Sequence, residues 1–263
     1  MTVEDTTKTA RIISISNQKG GVGKTTTAIN LGASLAAAEK SVLVVDLDPQ
    51  ANASSGLGVS DRDATSNSYH VLIGAISADE AVHTTSLDFL DVLPAHRDLA
   101  GAEVELVSEE NRATRLKDAL EPLRERYDFI IIDCPPSLGM LTLNALVAAD
   151  AVIVPLQCEY YALEGLSRLL ETIGMLRADL NNTLEVDGIV LTMYDARNNL
   201  SQQVEREVRE NFDGRVFQTV IPRNVRLSES PSFGKPAILY DLRSKGSQQY
   251  LAFAREYLES RCS

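Results

Sequence analysis

Asn17-Gln18-Lys19-Gly20-Gly21-Val22-Gly23-Lys24-Thr25-Thr26 is the stretch on which the fold turns. It follows an isoleucine-rich run over 11–17 that reads as a buried strand. It opens a stretch over 24–38 whose apolar positions Ala28, Leu31, Leu35 and Ala38 recur at helical spacing. Strand, glycine loop and helix form a setting in which backbone N–H groups close around phosphate oxygens. Gly20, Gly21 and Gly23 permit the tight turn, and the helix adds its positive end. Lys24 is then expected to reach the β- and γ-phosphates of ATP, and the Thr25 hydroxyl to ligate Mg2+. The strict pattern Gly-x-x-x-x-Gly-Lys-Ser/Thr fails at its first position, where Gln18 stands. A glycine-rich turn without a ligand is the plain alternative; the Lys-Thr pair and the flanking elements favour phosphate. Lys19 is a second lysine, either a solvated loop residue or a further cation for phosphate, in its own subunit or a partner's.

Outward from the loop, further strands are expected over 41–46, 87–94, 127–133, 151–155 and 186–192, with short ones over 217–220 and 237–239. Helices are expected over 111–126, 138–148, 162–176, 200–211 and 245–259, with short ones over 69–76 and 78–83 and a loop over 54–63. Continuous apolar strands alternating with helices predict an α/β, doubly wound, mostly parallel sheet with helices on both faces. Ligands of such a sheet lie beyond the carboxyl ends of its strands. With no repeat, low-complexity tract or linker, one domain is expected over 11–263, preceded by a disordered tail over 1–10.

The acids sit where that rule puts chemistry. Asp133 closes the run Ile130-Ile131-Ile132, the Walker-B position from which an acid holds magnesium directly or through water. Asp46 and Asp48 follow the second strand, two apart, so both can face the phosphates, and one acid suffices to position an attacking water. Turn-forming aspartates beside Pro49 are the alternative for that pair.

Composition excludes several classes. The chain has 263 residues, 44% hydrophobic and 24% charged, with no apolar run long enough to span a membrane and no secretory h-region at its start. Cys134, Cys158 and Cys262 form no CxxC pair, which argues against a disulfide framework or a zinc site. The net charge of −12 argues weakly against nucleic acid, yet residues 215–246 carry six basic and two acidic side chains. On composition alone that segment reads as a solvated basic face.

With 19–26, 46–50 and 130–136 placed, the chain resembles the ParA/Soj chromosome-partitioning ATPases, P-loop NTPases of the deviant Walker A group that also holds MinD. The likeness runs from Ile12 to about Leu258. It includes Gln157-Cys158-Glu159-Tyr160-Tyr161-Ala162-Leu163-Glu164-Gly165-Leu166 and Val220-Ile221-Pro222-Arg223-Asn224-Val225-Arg226-Leu227. The departure at Gln18 is expected of that group. The resemblance implies that Lys19 crosses an ATP-sandwich homodimer to the partner's nucleotide. It implies that Gly20, Gly21, Val22, Gly23, Lys24, Thr25 and Thr26 bind the nucleotide, with Lys19, Lys24 and Asp48 serving hydrolysis and Thr25, Asp48 and Asp133 the metal. Pro222 and Asn224 fall near the adenine. Arg197 and Arg226, with Arg223 and Lys235 as additions, are implied to bind double-stranded DNA without sequence preference. A ParB-type centromere-binding protein is the implied partner, and the implied location is cytoplasmic and nucleoid-associated, without membrane. The main alternative is a MinD-like membrane-associated positioning ATPase, which needs a basic amphipathic C-terminal helix; the tail 248–263 is neutral in sum and reads as a packing helix. An iron–sulfur carrier and a metabolic P-loop enzyme share the fold; the first lacks paired cysteines, and Lys19 speaks against the second.

Overall fold

The computed structural model describes residues 9–60, 62–159 and 162–261. Seven strands form one sheet among the described residues: β1 (Arg11–Ile15), β2 (Val42–Asp46), β3 (His83–Thr84), β4 (Leu90–Leu93), β5 (Phe129–Asp133), β6 (Ala151–Gln157) and β7 (Glu185–Thr192). Their order is β3-β4-β2-β5-β1-β6-β7, and every neighbouring pair is parallel except β3 with β4. The helices are α1 (Lys24–Ala36), α2 (Asn52–Gly56), α3 (Ser68–Leu72), α4 (Leu99–Glu105), α5 (Arg115–Leu120), α6 (Met140–Ala148), α7 (Ala162–Asp179), α8 (Asn199–Asn211), α9 (Val225–Glu229), α10 (Ala237–Tyr240) and α11 (Lys245–Glu259). The expected doubly wound, mostly parallel sheet is therefore the observed one.

Its cause is visible in the side chains. Successive strand residues point to opposite faces, and here both faces are apolar. Leu43, Val45, Ile12, Ile130 and Ile132 join one core with α3 to α8, while Val42, Val44, Ile13, Ile15 and Ile131 join the other with α1, α10 and α11. Each fully buried aliphatic side chain contributes roughly 1.5–3 kcal/mol, so this double burial rather than the polar loops holds the sheet. The expectation of a packing C-terminal helix is met in α11, where Tyr250, Phe253, Ala254 and Tyr257 are buried in the core shared with α1.

Several local expectations are corrected. The loop over 54–63 begins in α2, because Asp46 Oδ2 accepts from both the N–H and the hydroxyl of Ser54 and fixes that turn. The helix over 78–83 shrinks to a 3-10 turn, Asp79–Ala81, before β3 pairs antiparallel with β4. The helix over 111–126 is reduced to α5 and a 3-10 turn, Glu121–Leu123, that holds Pro122. No strand forms over 217–220: Val216 makes one isolated bridge to Ile189, and the N–H groups of Gln218 and Thr219 donate to the Glu256 carboxylate at 2.6 and 2.9 Å. The strand over 237–239 is instead α10, since Pro236 precedes it and Asn30 Oδ1 accepts from the Ala237 N–H. Of the tail over 1–10, residues 1–8 lie outside the described residues, and Ala10 is buried with its N–H donating to the Arg124 carbonyl at 2.8 Å.

Candidate functional site

The register of the central strands brings the acids together. β2 and β5 pair so that Asp46 lies opposite Asp133, both at carboxyl ends and beside the glycine loop that leaves β1. The loop then enters α1 through two residues in left-handed backbone, Gly21 at φ 74° and Gly23 at φ 89°, a region open to glycine and strained for other residues. Asn17 Oδ1 accepts from the Lys19 N–H, and its Nδ2 donates to the Pro155 carbonyl of β6, tying the start of the loop to the sheet.

Two contiguous cavities follow. The first, about 310 Å³, is lined by Gly20, Gly21, Gly23, Lys24, Thr25 and Thr26 of the loop, with Asp48, Asn52, Pro136 and Met193 facing them. The second, about 520 Å³, shares Gly23, Thr25, Thr26, Asn52 and Met193 and extends over Ile29, Ile221, Pro222, Asn224, Leu227 and Tyr250. Polar and cationic at one end and apolar at the other, the pair has the two-part shape that a nucleoside polyphosphate fills. Pro222 and Asn224 thus fall in the apolar part, and the Asn224 side chain also accepts from the Arg226 N–H to start α9. The side chain of Val22 is buried, so only its backbone can contribute.

The three acids have different surroundings. Asp46 accepts from the Asp48 N–H at 3.1 Å and twice from Ser54; its burial raises it to about 6. Its oxygens are committed to holding the fold. Asp48 is nearly buried, lines the first cavity and, among the described residues, its carboxylate accepts only a local bond from the Gln50 N–H. Asp133 is fully buried, and among the described residues neither of its oxygens has a hydrogen-bond partner. Burial, and then the charge of Asp46, push its carboxyl well above the usual range; the Thr25 hydroxyl, nearby but outside hydrogen-bond geometry, and the Lys24 ammonium oppose them. Lys24 is 6% exposed and donates to the Lys19 carbonyl at 3.1 Å; burial lowers its pKa while Asp133 pulls the other way. A buried carboxylate with free lone pairs beside a threonine hydroxyl is a donor set suited to a hard divalent cation.

This arrangement stores instability. Between the ordinary carboxyl pKa and the raised folded one, the folded protein holds more protons than the unfolded. The contribution of Asp46 and Asp133 to stability is therefore greatest at low pH and is lost as pH rises through the folded values. Asp133→Asn is expected to flatten that decline and raise the ligand-free melting temperature at neutral pH by at least roughly 2 °C, read by a thermal scan over pH. An unchanged or lower melting temperature contradicts the assignment of a destabilising buried charge.

Lys19 is half exposed and its ammonium pairs with Glu159 of the same chain. Arg197 is 91% exposed on the loop after β7, bonded to Asp195 at 3.1 and 3.2 Å, and Arg223 lies close enough to lower Asp195 further. Arg223 also lines the second cavity. Arg226 lies among Glu229, Asp241 and the Tyr240 ring. Lys235 is exposed. The structure thus groups Arg197 with Arg223 around Asp195, and Arg226 with Glu229 and Asp241. Residues 217–227 join the basic segment to the wall of the nucleoside-shaped cavity, a connection invisible in composition.

Thr192, Met193 and Tyr250 are site residues that the sequence reading passes over. The first two end or follow β7, so the rule that ligands lie beyond strand carboxyl ends could have found them. Tyr250, on a helix more than 220 residues from the loop, bonds Thr27 and carried no signal.

A family profile described as an AAA domain matches residues 10–186. The chromosome partitioning protein ParA of Myxococcus xanthus is 60% identical over 249 residues, 95% of this chain and 88% of that one. The sporulation initiation inhibitor protein Soj of Bacillus subtilis is 56% identical over 94% of this chain and 97% of its own. Among solved structures, a cobyrinic acid a,c-diamide synthase of Mycobacterium smegmatis with bound ADP and magnesium has a TM-score of 0.85 at 38% identity, covering 97% of this chain and 96% of that one. The cell division ATPase MinD of Pyrococcus furiosus has a TM-score of 0.81 at 28% identity, covering 95% and 99%.

Proposed function

This chain belongs to the ParA/Soj family of chromosome-partitioning proteins, and from that premise we propose that it is an ATP-dependent DNA-partitioning ATPase whose ATP-bound homodimer holds DNA without sequence preference. The observation that carries the reading is the buried Asp133 carboxylate, without a hydrogen-bond partner among the described residues, behind the Thr25 and Lys24 that line the phosphate-shaped cavity. Its lone pairs fit magnesium, which when bound neutralises phosphate charge. Thr25, Asp48 and Asp133 are the residues that would hold that ion, Asp133 directly or through water. The N–H groups around Gly20 to Thr26 cradle the phosphates, and Lys24 supplies a fixed cation. Asp48, with one carboxylate oxygen uncommitted, orients the attacking water and accepts its hydrogen bond. Asp46 keeps its oxygens on Ser54 and Asp48 and positions the loop that carries Asp48.

Lys19 exchanges Glu159 for the partner subunit's nucleotide when two copies meet face to face. The Glu159 pair is exposed and worth little, so it is easily surrendered. The dimer joins two sets of Arg197, Arg223, Arg226 and Lys235 into one surface, and acids more than about 8 Å away are screened at physiological salt, so the chain's net negative charge does not forbid DNA. A ParB-type centromere-binding protein stimulates hydrolysis, ADP-bound monomers leave the DNA, and the cycle positions the chromosome origin from a cytoplasmic, nucleoid-associated pool. A membrane-associated positioning ATPase is the weaker reading, because α11 spends its apolar face on the core.

DNA co-sedimentation separates these. With ATP the protein is expected to pellet with DNA at low salt and to lose affinity steeply across a salt series, while ADP and nucleotide-free samples stay in the supernatant. Equal DNA affinity in all three states sinks the proposal.

A further inference from the structure

We propose that Thr192 is a positioning residue for the phosphate loop, acting through the Val22–Gly23 peptide; this rests on the nucleotide reading above. Thr192 ends β7, is 2% exposed, and its hydroxyl donates to the Val22 carbonyl at 2.8 Å. Its side chain also bounds Gly23: a Cβ placed on that glycine would meet the Thr192 Cβ and Cγ2 at 3.9 Å. One threonine therefore touches the peptide at its carbonyl and packs beside the residue that follows.

The consequence follows from peptide planarity. In a trans peptide the carbonyl and the N–H point in opposite directions and rotate together. Anchoring the Val22 carbonyl on Thr192 turns the Gly23 N–H the other way, and Gly23 lines both cavities. Rotation of this peptide turns on ψ of Val22 and φ of Gly23, and Gly23, in left-handed backbone, gives it little resistance on its own side. The Gly23 carbonyl is already committed, accepting from the Thr27 N–H in the first turn of α1. The Val22–Gly23 plane thus takes its anchor from a strand at the far edge of the sheet. That anchor is itself stiff: Thr192 pairs with Gln157 of β6, and on either side the Leu191 carbonyl accepts from the Ile221 N–H and the Tyr194 N–H donates to the Ile221 carbonyl. A Thr192 hydroxyl reaching over 170 residues of chain to one carbonyl is a fold contact in form, but its target is the peptide whose N–H belongs to Gly23, the loop glycine that lines both cavities.

The test uses the purified full chain and three versions: wild type, Thr192→Val, which keeps the shape and loses the hydroxyl, and Thr192→Ser, which keeps the hydroxyl. ADP and ATP affinities are measured by equilibrium titration with magnesium, alongside ligand-free melting and steady-state hydrolysis. Thr192→Val is expected to weaken ADP and ATP by the same factor, about tenfold, raising KM with little change in kcat, because the loop N–H serves ground and transition states alike. Thr192→Ser is expected to restore most of the affinity. A purely structural role instead lowers the folded fraction, cutting apparent kcat at unchanged KM; that result, or equal losses in the Val and Ser variants, overturns the proposal. If wild type binds neither nucleotide, the ATPase reading falls and takes this inference with it. Normal wild-type binding with an unaffected Val variant sinks the role of Thr192 alone.

Discussion

Lys24→Ala is expected to abolish measurable ATP and ADP binding, a loss of at least about a hundredfold, with the fold retained. The argument rests on where the ammonium sits. It is almost fully buried and donates to the Lys19 carbonyl; burial lowers its pKa, and the nearby acids, Asp133 first, oppose that shift. Truncating one member of a buried charged set costs roughly 2–5 kcal/mol, and here the surviving members are acids. Without Lys24 the cavity presents Asp48 to an incoming polyanion, with Asp133 buried behind it, and the loop's buried cation is gone. The phosphate end of the site then repels the ligand it is shaped for. Titration with a fluorescent ATP analogue and magnesium measures the loss, and circular dichroism reports the fold. Lys24→Met separates charge from packing: it keeps the apolar stem and should lose nearly as much affinity. Unchanged ATP affinity in either variant removes the site from this loop.

The central sheet and the loop were legible in the sequence because their signals are local. Ile130-Ile131-Ile132 is apolar on both sides of the strand and is buried on both. Asp133 closes β5 and Lys24 opens α1 at the end of the loop that leaves β1, so the strand–loop–helix pattern and strand-end reasoning point to them. What escaped depends on distant partners. α2 was read as loop because its Ser and Gly content favours turns, whereas a carboxylate from β2 fixes its first turn. Ala237-Ile238-Leu239 is too short for periodicity to tell strand from helix, and Asn30 of α1 settles it by capping Ala237. Residues 217–220 have strand-like composition, but their N–H groups are claimed by Glu256. The same division runs through the site. The phosphate end is built from consecutive residues and was read; the apolar end is assembled from α1, α9, α11 and the segment after β7, and only Pro222 and Asn224 were placed there, through resemblance. Spacing alone does not separate Asp46, which ends β2, from Asp48 two residues on; the resemblance singles out Asp48, and in the structure Ser54 ties up Asp46.

Arg197→Glu is expected to leave ATP-dependent dimers intact and to lower DNA affinity by roughly a hundredfold at moderate salt. The side chain is 91% exposed and, among the described residues, its ion pair and hydrogen bonds go to Asp195, so its reversal removes little packing. In the dimer the change occurs twice, and each reversal both deletes a cation and adds an anion. If each Arg197 neutralises one phosphate, losing two should reduce the slope of log affinity against log salt by about 2. The loss should be the same for unrelated DNA sequences, because phosphate contacts carry no base information. Asp195 supplies the control: Asp195→Asn releases Arg197 from its ion pair and should strengthen binding modestly, while a role for Arg197 in holding its loop would make the same variant weaker. A gel shift with ATP measures all three. Undiminished affinity of Arg197→Glu, with dimerisation verified by light scattering, would remove Arg197 from the DNA surface. The proposal would then rest on Arg226, whose guanidinium must leave Glu229 and Asp241 before it can meet a phosphate. That exchange needs a competing anion of high local charge density, which duplex DNA provides and an isolated chloride does not, so the Arg226 contribution should appear only where Arg197 and Arg223 have already brought the backbone close.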